Sequence, residues 1–159
     1  LLGSGAILRE VLAAAEILEE RHGVAAEVYS ATSFTELRRD GLAAERWNRL
    51  HPDEPPRVPW ITELLAGDSP VVAATDYLKA YADGVRPYVP ARYAVLGTDG
   101  FGLSDTRERL RDFFEVDRRH VAITALAALA GAGTVPHDAV TDAIAEHGID
   151  PERPDPAAS

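Results

Sequence analysis

A chain of 159 residues, 46% apolar and 26% charged, has the length for one domain or at most two and enough apolar content to enclose a core, which excludes a peptide hormone and a disordered chain. Its formal charge of −10 is evenly spread, eight basic against thirteen acidic residues in 1–80 and again in 81–159, so no basic arm or patch stands out for a nucleic-acid backbone. The lack of Cys excludes a disulfide framework, thiol catalysis and a thiolate zinc site, and it fits a cytoplasmic location.

No run approaches the ~18 apolar residues of a membrane span, and residues 1–23 mix charged with apolar positions rather than forming a basic and then apolar secretion signal. The chain begins at Leu1-Leu2-Gly3 and contains no Met, which suggests a piece of a longer polypeptide.

Leu1-Leu2 reads as the stump of a strand, short and poorly paired, and Gly3-Ser4-Gly5 as the turn that feeds a helix from about Ala6 to His22. Ile7, Leu8, Val11, Ala15 and Leu18 recur at helical spacing, and Gly23 is a good stop. Val24 to Ser30 suits a short strand, and Ser33-Phe34-Thr35-Glu36 is an S-x-x-E capping box that opens a second helix. Pro52, Pro55, Pro56 and Pro59 force an extended, irregular crossover, followed by a few turns at most over Trp60 to Leu65.

Pro70 to Ala74 reads as a buried strand, then a Thr75-capped helix over Tyr77 to Val85, then a strand at Tyr93 to Leu96 and a glycine-rich turn at 97–102. Residues 105–114, 117–130 and 136–147 follow as three closing helices, with Pro136 in a first turn where its missing N–H costs little. The alternation predicts an α/β fold, a three-layer sandwich with a mainly parallel sheet in which the strands near 24–30, 70–74 and 93–97 lie side by side. Residues 1–149 form this domain, and the Pro-rich acidic segment 150–159 is expected to be a disordered tail.

Several constellations bear on chemistry. Gly3-Ser4-Gly5 lies where a helix N-terminus could hold a phosphate, but Leu8 stands where a dinucleotide fingerprint needs its third glycine, and Ser30-Ala31-Thr32 replaces the acidic residue after the second strand. His22, His51, His120, His137 and His147 form no metal-ligand spacing. The loop from Gly97 through Asp99, Phe101 and Ser104 to Asp105 is the best candidate for a ligand loop, because it follows a strand at the carboxyl edge of the sheet. Its mechanical alternative has Phe101 buried as an anchor and Ser104 or Asp105 capping the next helix. Trp47, flanked by Arg46 and Arg49 ahead of the prolines, is either an interface anchor with a polar rim or a cover for the sheet edge.

Ser33-Phe34-Thr35-Glu36-Leu37-Arg38-Arg39-Asp40, followed by Glu45-Arg46-Trp47-Asn48-Arg49-Leu50-His51-Pro52, resembles the carboxyl-terminal domain of the homodimeric bacterial pyruvate dehydrogenases, which are transketolase-like enzymes. Leu2 to Arg9, Thr75-Asp76-Tyr77-Leu78-Lys79 and Gly97 to Gly102 agree with the same family, in order, although Leu103 stands where many relatives carry Arg. The resemblance implies the last of three α/β domains of an enzyme that uses thiamine diphosphate and magnesium to decarboxylate pyruvate and acetylate the lipoyl group of a dihydrolipoyl acetyltransferase component. It places cofactor, metal and catalytic residues in the preceding domains, so none is expected here. What it leaves to this domain is subunit contact in a homodimer and the walls of the active-site entrance. The residues alone leave open a free-standing interaction module, a small nucleotide-binding protein, or a relative acting on another 2-oxo acid.

Overall fold

The computed structural model describes residues 1–158; Ser159 lies outside the described residues. Four strands, β1 (Leu2–Gly3), β2 (Tyr29–Ser30), β3 (Val71–Ala74) and β4 (Tyr93–Leu96), form one parallel sheet in the order β2-β1-β3-β4. Parallel neighbours need crossovers, and the helices supply them: α1 (Leu8–His22), α2 (Phe34–Leu50), α3 (Trp60–Leu64) and α4 (Lys79–Asp83) lie between strands. Then α5 (Arg107–Phe113), α6 (Arg118–Gly131) and α7 (His137–Glu146) close the chain.

Alternate residues of β3 face opposite sides of the sheet, and the core divides accordingly. Val72 and Ala74 join Val11, Ala14 and Leu18 of α1 and Val121, Ala122, Ala125 and Leu126 of α6 on one face. Val71 and Ala73 join Leu2, Phe34 of α2, Ala82 of α4, Val85 and Tyr93 on the other. The molecule is therefore helix layer, sheet, helix layer, as the strand and helix alternation predicts.

The structure corrects the sequence reading in the sheet. The strand expected over 24–30 is confined to Tyr29–Ser30, and β2 does not lie beside β3, because β1 stands between them. Leu1-Leu2, expected to be a poorly paired stump, leads into the strand that is bonded on both sides, Leu2 opposite Tyr29 and Ala73, Gly3 opposite Ser30 and Ala74. Strand order is set by which helices cover which face, and local sequence carries little of that information.

Local signals fare better. Gly23 ends α1 in a left-handed conformation, φ 64°, with its N–H on the Glu19 carbonyl. The Ser33 hydroxyl accepts the Glu36 N–H at 3.2 Å, the forward half of a capping box, while the Glu36 carboxylate pairs with Arg39 instead of reaching back. Thr75 does not cap the next helix: α4 starts later, at Lys79, and Leu78 occupies the cap position without a side-chain bond. Segment 150–158, for which the sequence suggests disorder, carries a turn and a short 3₁₀ helix at Pro156–Ala158, and Pro156 is buried.

The Tyr88 ring lies against α2 at Gly41, where an added Cβ would stand only 2.2 Å from Cε2 of that ring. Gly41→Ala gains about 1 kcal/mol of helix propensity and loses about 1–3 kcal/mol to overpacking, so the expected net effect is destabilisation. A urea titration reads this as a lower midpoint with unchanged slope; a raised midpoint contradicts the packing.

Candidate functional site

Adjacent strands β1 and β3 send their chains to opposite faces of the sheet, β1 into α1 and β3 into α4, so their carboxyl ends mark the switch point where open α/β sheets place ligands. Two buried hydroxyls meet there: Ser4 Oγ donates to Thr75 Oγ1 at 2.7 Å, and Thr75 Oγ1 also accepts the Tyr77 N–H at 3.2 Å. Gly5 next to it has φ 54°, and a Cβ would meet Asp76 Oδ1 at 3.0 Å. The glycine loop is fastened to the turn after β3. Thr98 donates its N–H to the Tyr77 carbonyl and its hydroxyl to the Asp76 carbonyl, each at 2.9 Å, and Asp99 Oδ1 accepts the Lys79 N–H at 3.0 Å. Asp99 thus satisfies a first-turn N–H of α4 from across the loop, a tertiary cap that no spacing rule reveals.

Two hollows open at this edge. One of about 400 Å³ is lined by Ser4, Thr32, Ser33, Phe34, Tyr77 and Tyr81; the other, about 480 Å³, by Asp76, Thr98, Gly100, Leu103, Arg107 and Phe114. Among the described residues no histidine lines either, and the Ser4 proton is engaged by Thr75 rather than by a base. This chemistry suits contact and positioning rather than nucleophilic attack.

Two loop residues depart from expectation. Phe101, expected to be a buried anchor, is 82% exposed, while Val116 and Phe114 belong to the core cluster. Asp105 does not cap α5. Thr106 does, accepting the Arg109 N–H, while Asp105 Oδ1 accepts the N–H of Thr106 at 2.7 Å.

The half-buried Trp47 is sandwiched. The His51 ring stacks on it at 3.6 Å and 11°, and the Arg57 guanidinium sits 3.5 Å from the indole centroid on returning from the proline crossover. Asn48 pins the same crossover by bonding both the N–H and the carbonyl of Arg57. Arg46 and Arg49, the sequence neighbours, are exposed.

Sequence reasoning missed an ionic network on α1, α5 and α6. Glu10, 4% exposed on α1, accepts bonds from Arg111 at 2.7 Å and from Arg118 Nε at 2.9 Å. Asp117 caps α6 by accepting the Arg119 and His120 N–H groups, and Arg119 bridges it to Asp112. Asp112, Asp117 and His120 place their donor atoms within 4.8 Å of one another, but guanidinium groups of Arg119 and Arg153 already fill the space that a cation would take. The capping residue was readable from its place ahead of a helix; its long-range arginine partners were not.

Burial pushes the Glu10 carboxyl up, but Arg118 and Arg111 outweigh it and hold the pKa below the usual range. Burial also raises Asp117, and hydrogen bonds from His120 and Arg119 more than reverse the effect. Both carboxylates stay ionised in the folded chain where the unfolded chain, with pKa values of about 4, takes up protons. Their contribution is full above about pH 5 and is lost progressively as pH falls below it, through the unfolded-state value and on toward the lower folded-state ones. The unfolding midpoint should drop with acidification over this range, and less steeply in Glu10→Gln; equal slopes in the two proteins contradict the assignment.

Comparison with known proteins agrees with this geometry. The family profile described as "Transketolase-like TK C-terminal domain" matches residues 1–117. The chain is 56% identical over 158 residues to the pyruvate dehydrogenase E1 component of Pseudomonas aeruginosa, 57% over 157 to that of Escherichia coli K12, and 55% over 157 to that of Haemophilus influenzae. Each alignment covers 98% of this chain and 18% of the relative, whose carboxyl-terminal part it is. The chain belongs to the transketolase C-terminal domain family. It spans less than a fifth of the length of these relatives.

Proposed function

We propose that this chain is the carboxyl-terminal structural and subunit-contact domain of a homodimeric pyruvate dehydrogenase E1, working in the cytoplasm within a complex that contains a dihydrolipoyl acetyltransferase. The observation that carries the reading is identity of 55–57% along nearly the whole chain to proteins named pyruvate dehydrogenase E1 component. Thiamine diphosphate with magnesium, bound in the other domains, supplies the carbanion chemistry that decarboxylates pyruvate. The residues present here do not fit that cofactor. Gly67-Asp68-Ser69 and Asp83-Gly84 lack the flanks of the G-D-G metal and diphosphate motif that the resemblance implies for the cofactor domains, and among the described residues the one cluster of carboxylates and imidazole is neutralised by arginines.

A contact role is supported by the exposed aromatic and aliphatic groups at the carboxyl edge, Tyr77, Leu78, Tyr81, Phe101 and Leu103, each 49% exposed or more. Trp47 with Arg46 and Arg49 offers a second contact surface, in which Arg57 and His51 pre-order the indole. Asp99 and Thr106 hold the glycine loop and the start of α5 in place behind Phe101. No helix among the described residues is long and apolar enough to cross a membrane.

Calorimetric titration tests the division of labour. The isolated 159-residue chain should give no saturable heat with thiamine diphosphate and magnesium, whereas the full-length protein should bind both, decarboxylate pyruvate, and lose its dimer when residues 1–149 are deleted. Binding by the isolated chain tighter than about 100 μM, roughly −5.5 kcal/mol, overturns the assignment.

A further inference from the structure

The hollow of about 480 Å³ beside the glycine loop is lined by two opposite charges that the rest of the chain does not use. Asp76 lies on the turn after β3 and Arg107 at the start of α5, and among the described residues neither side chain has an ion-pair or hydrogen-bond partner, in the other or elsewhere. Much of the remaining lining is apolar, with Ile7 and Val116 buried and Leu110 and Phe114 half-buried. The walls are fixed by the fold itself. Thr98 donates its hydroxyl to the Asp76 carbonyl at 2.9 Å, and Gly5 approaches so closely that a Cβ there would stand 3.0 Å from Asp76 Oδ1. Gly100 of the loop packs against the last segment, where a Cβ would meet the Pro156 carbonyl oxygen at 2.6 Å. Arg111 also lines the hollow, but it is committed to Glu10 at 2.7 Å and fastens α5 to α1.

We propose that this hollow binds a small zwitterion with an apolar side chain, an α-amino acid of the leucine or phenylalanine kind. Its ammonium group meets Asp76, its carboxylate meets Arg107, and its side chain covers Leu110 and Phe114. With Arg111 and Glu10 paired off, the charges of the site sum to zero, so a ligand of zero net charge matches it. A simple anion gains Arg107 but brings its charge toward Asp76, and a simple cation meets the reverse problem. The guanidinium offers two parallel N–H donors to a carboxylate, and the Asp76 oxygens accept from an ammonium group. Because Asp76 and Arg107 are not paired with each other, the ligand breaks no ion pair on entering.

Size and exposure set the expected strength. The volume lies within the range of small-molecule sites, and a leucine or phenylalanine side chain fills it where a larger cofactor does not. Asp76 and Arg107 are both exposed, so water weakens each ion pair, and neither alone holds a ligand. Binding needs both charges and the apolar floor together, which makes it selective for the intact amino acid and weak in absolute terms. A bound molecule bridges the turn after β3 to α5 and thereby ties down the loop between them. The inference goes beyond the enzyme assignment and does not depend on it, since the cofactor chemistry proposed above belongs to other domains.

The test is a saturation-transfer NMR titration of the full-length protein with L-leucine and L-phenylalanine. Two analogues accompany them: 4-methylpentanoate, which is leucine without its ammonium group, and 3-methylbutylamine, which is leucine without its carboxylate. The site predicts saturable binding of at least one amino acid with Kd below about 5 mM. It predicts at least about tenfold weaker binding of both analogues, and of the amino acid by Asp76→Asn and by Arg107→Gln, because each change removes one charge-assisted contact. Both side chains are exposed, so the variants should keep the parent unfolding midpoint. Saturation absent up to about 20 mM overturns the proposal, and so does a mouth covered by another part of the full-length protein, which gives the same result. Analogues that bind as tightly as the amino acid also overturn it. Unchanged affinity in both variants places the ligand elsewhere and overturns it as well, and if a variant fails to fold, the analogue comparison decides.

Discussion

Leu2 and Gly3 make up the whole of β1, yet their peptide groups are hydrogen-bonded to β2 on one side and β3 on the other, and both residues are buried. A two-residue strand in that position has no slack. Buried N–H and carbonyl groups must be paired, and here the pairs come from two different strands that are distant in sequence. Gly3 meets a second demand at the same place, because a Cβ on it would stand 2.9 Å from Leu8 Cα, so α1 can lie this close to the sheet only over a glycine. From Ser4 onward the chain leaves the sheet with its hydroxyl tied to Thr75, which joins β1 to β3 at the switch point. The two helix layers meet the sheet on opposite sides of this strand.

The outer helices are held differently. Glu10 on α1 draws in Arg111 from α5 and Arg118 from α6, and Asp112 and Asp117 draw in Arg119 and Arg153, so carboxylates on three elements are answered by four arginines. Arginine suits this place because its fork of donors can engage two oxygens or two carboxylates at once. Glu10 and Asp117 are nearly buried, so breaking their pairs leaves charge away from water. Exposed pairs such as Arg86 with Asp83 carry little by comparison. The family profile ends at Asp117, the cap of α6, while the identity to the E1 components continues through α7. Arg153 ties the final segment to Asp112 beyond that boundary.

What was legible in the sequence is what is local in space. Gly23 as a helix stop, Ser33 as a cap and the three closing helices depend on neighbours within a few positions, and their chemistry fixes them there. The layered α/β class followed from the strand and helix alternation, and the family from motifs spread in order along the chain. The insertion of β1 between β2 and β3 was not legible, because it depends on pairing between residues some seventy positions apart, as with Leu2 and Ala73. The arginine over Trp47 is Arg57, brought back by the proline crossover, while the sequence neighbours Arg46 and Arg49 are exposed, and a contact made by that return is not legible locally. Phe101 misled for a different reason: an aromatic between glycines looks like an anchor whether it faces the core or an outer contact, and sequence does not distinguish the two.

If β1 is the strand on which both layers are assembled, its amides should open only when the whole domain unfolds. Native-state hydrogen exchange at the Ser4 N–H, which donates to the Ala74 carbonyl at 3.2 Å, measures this directly. The account predicts exchange as slow as that of the core amides of β3, with an opening free energy equal to the global stability. Exchange at the rate of the exposed loop at 100–105 would contradict it and would make β1 a peripheral strand.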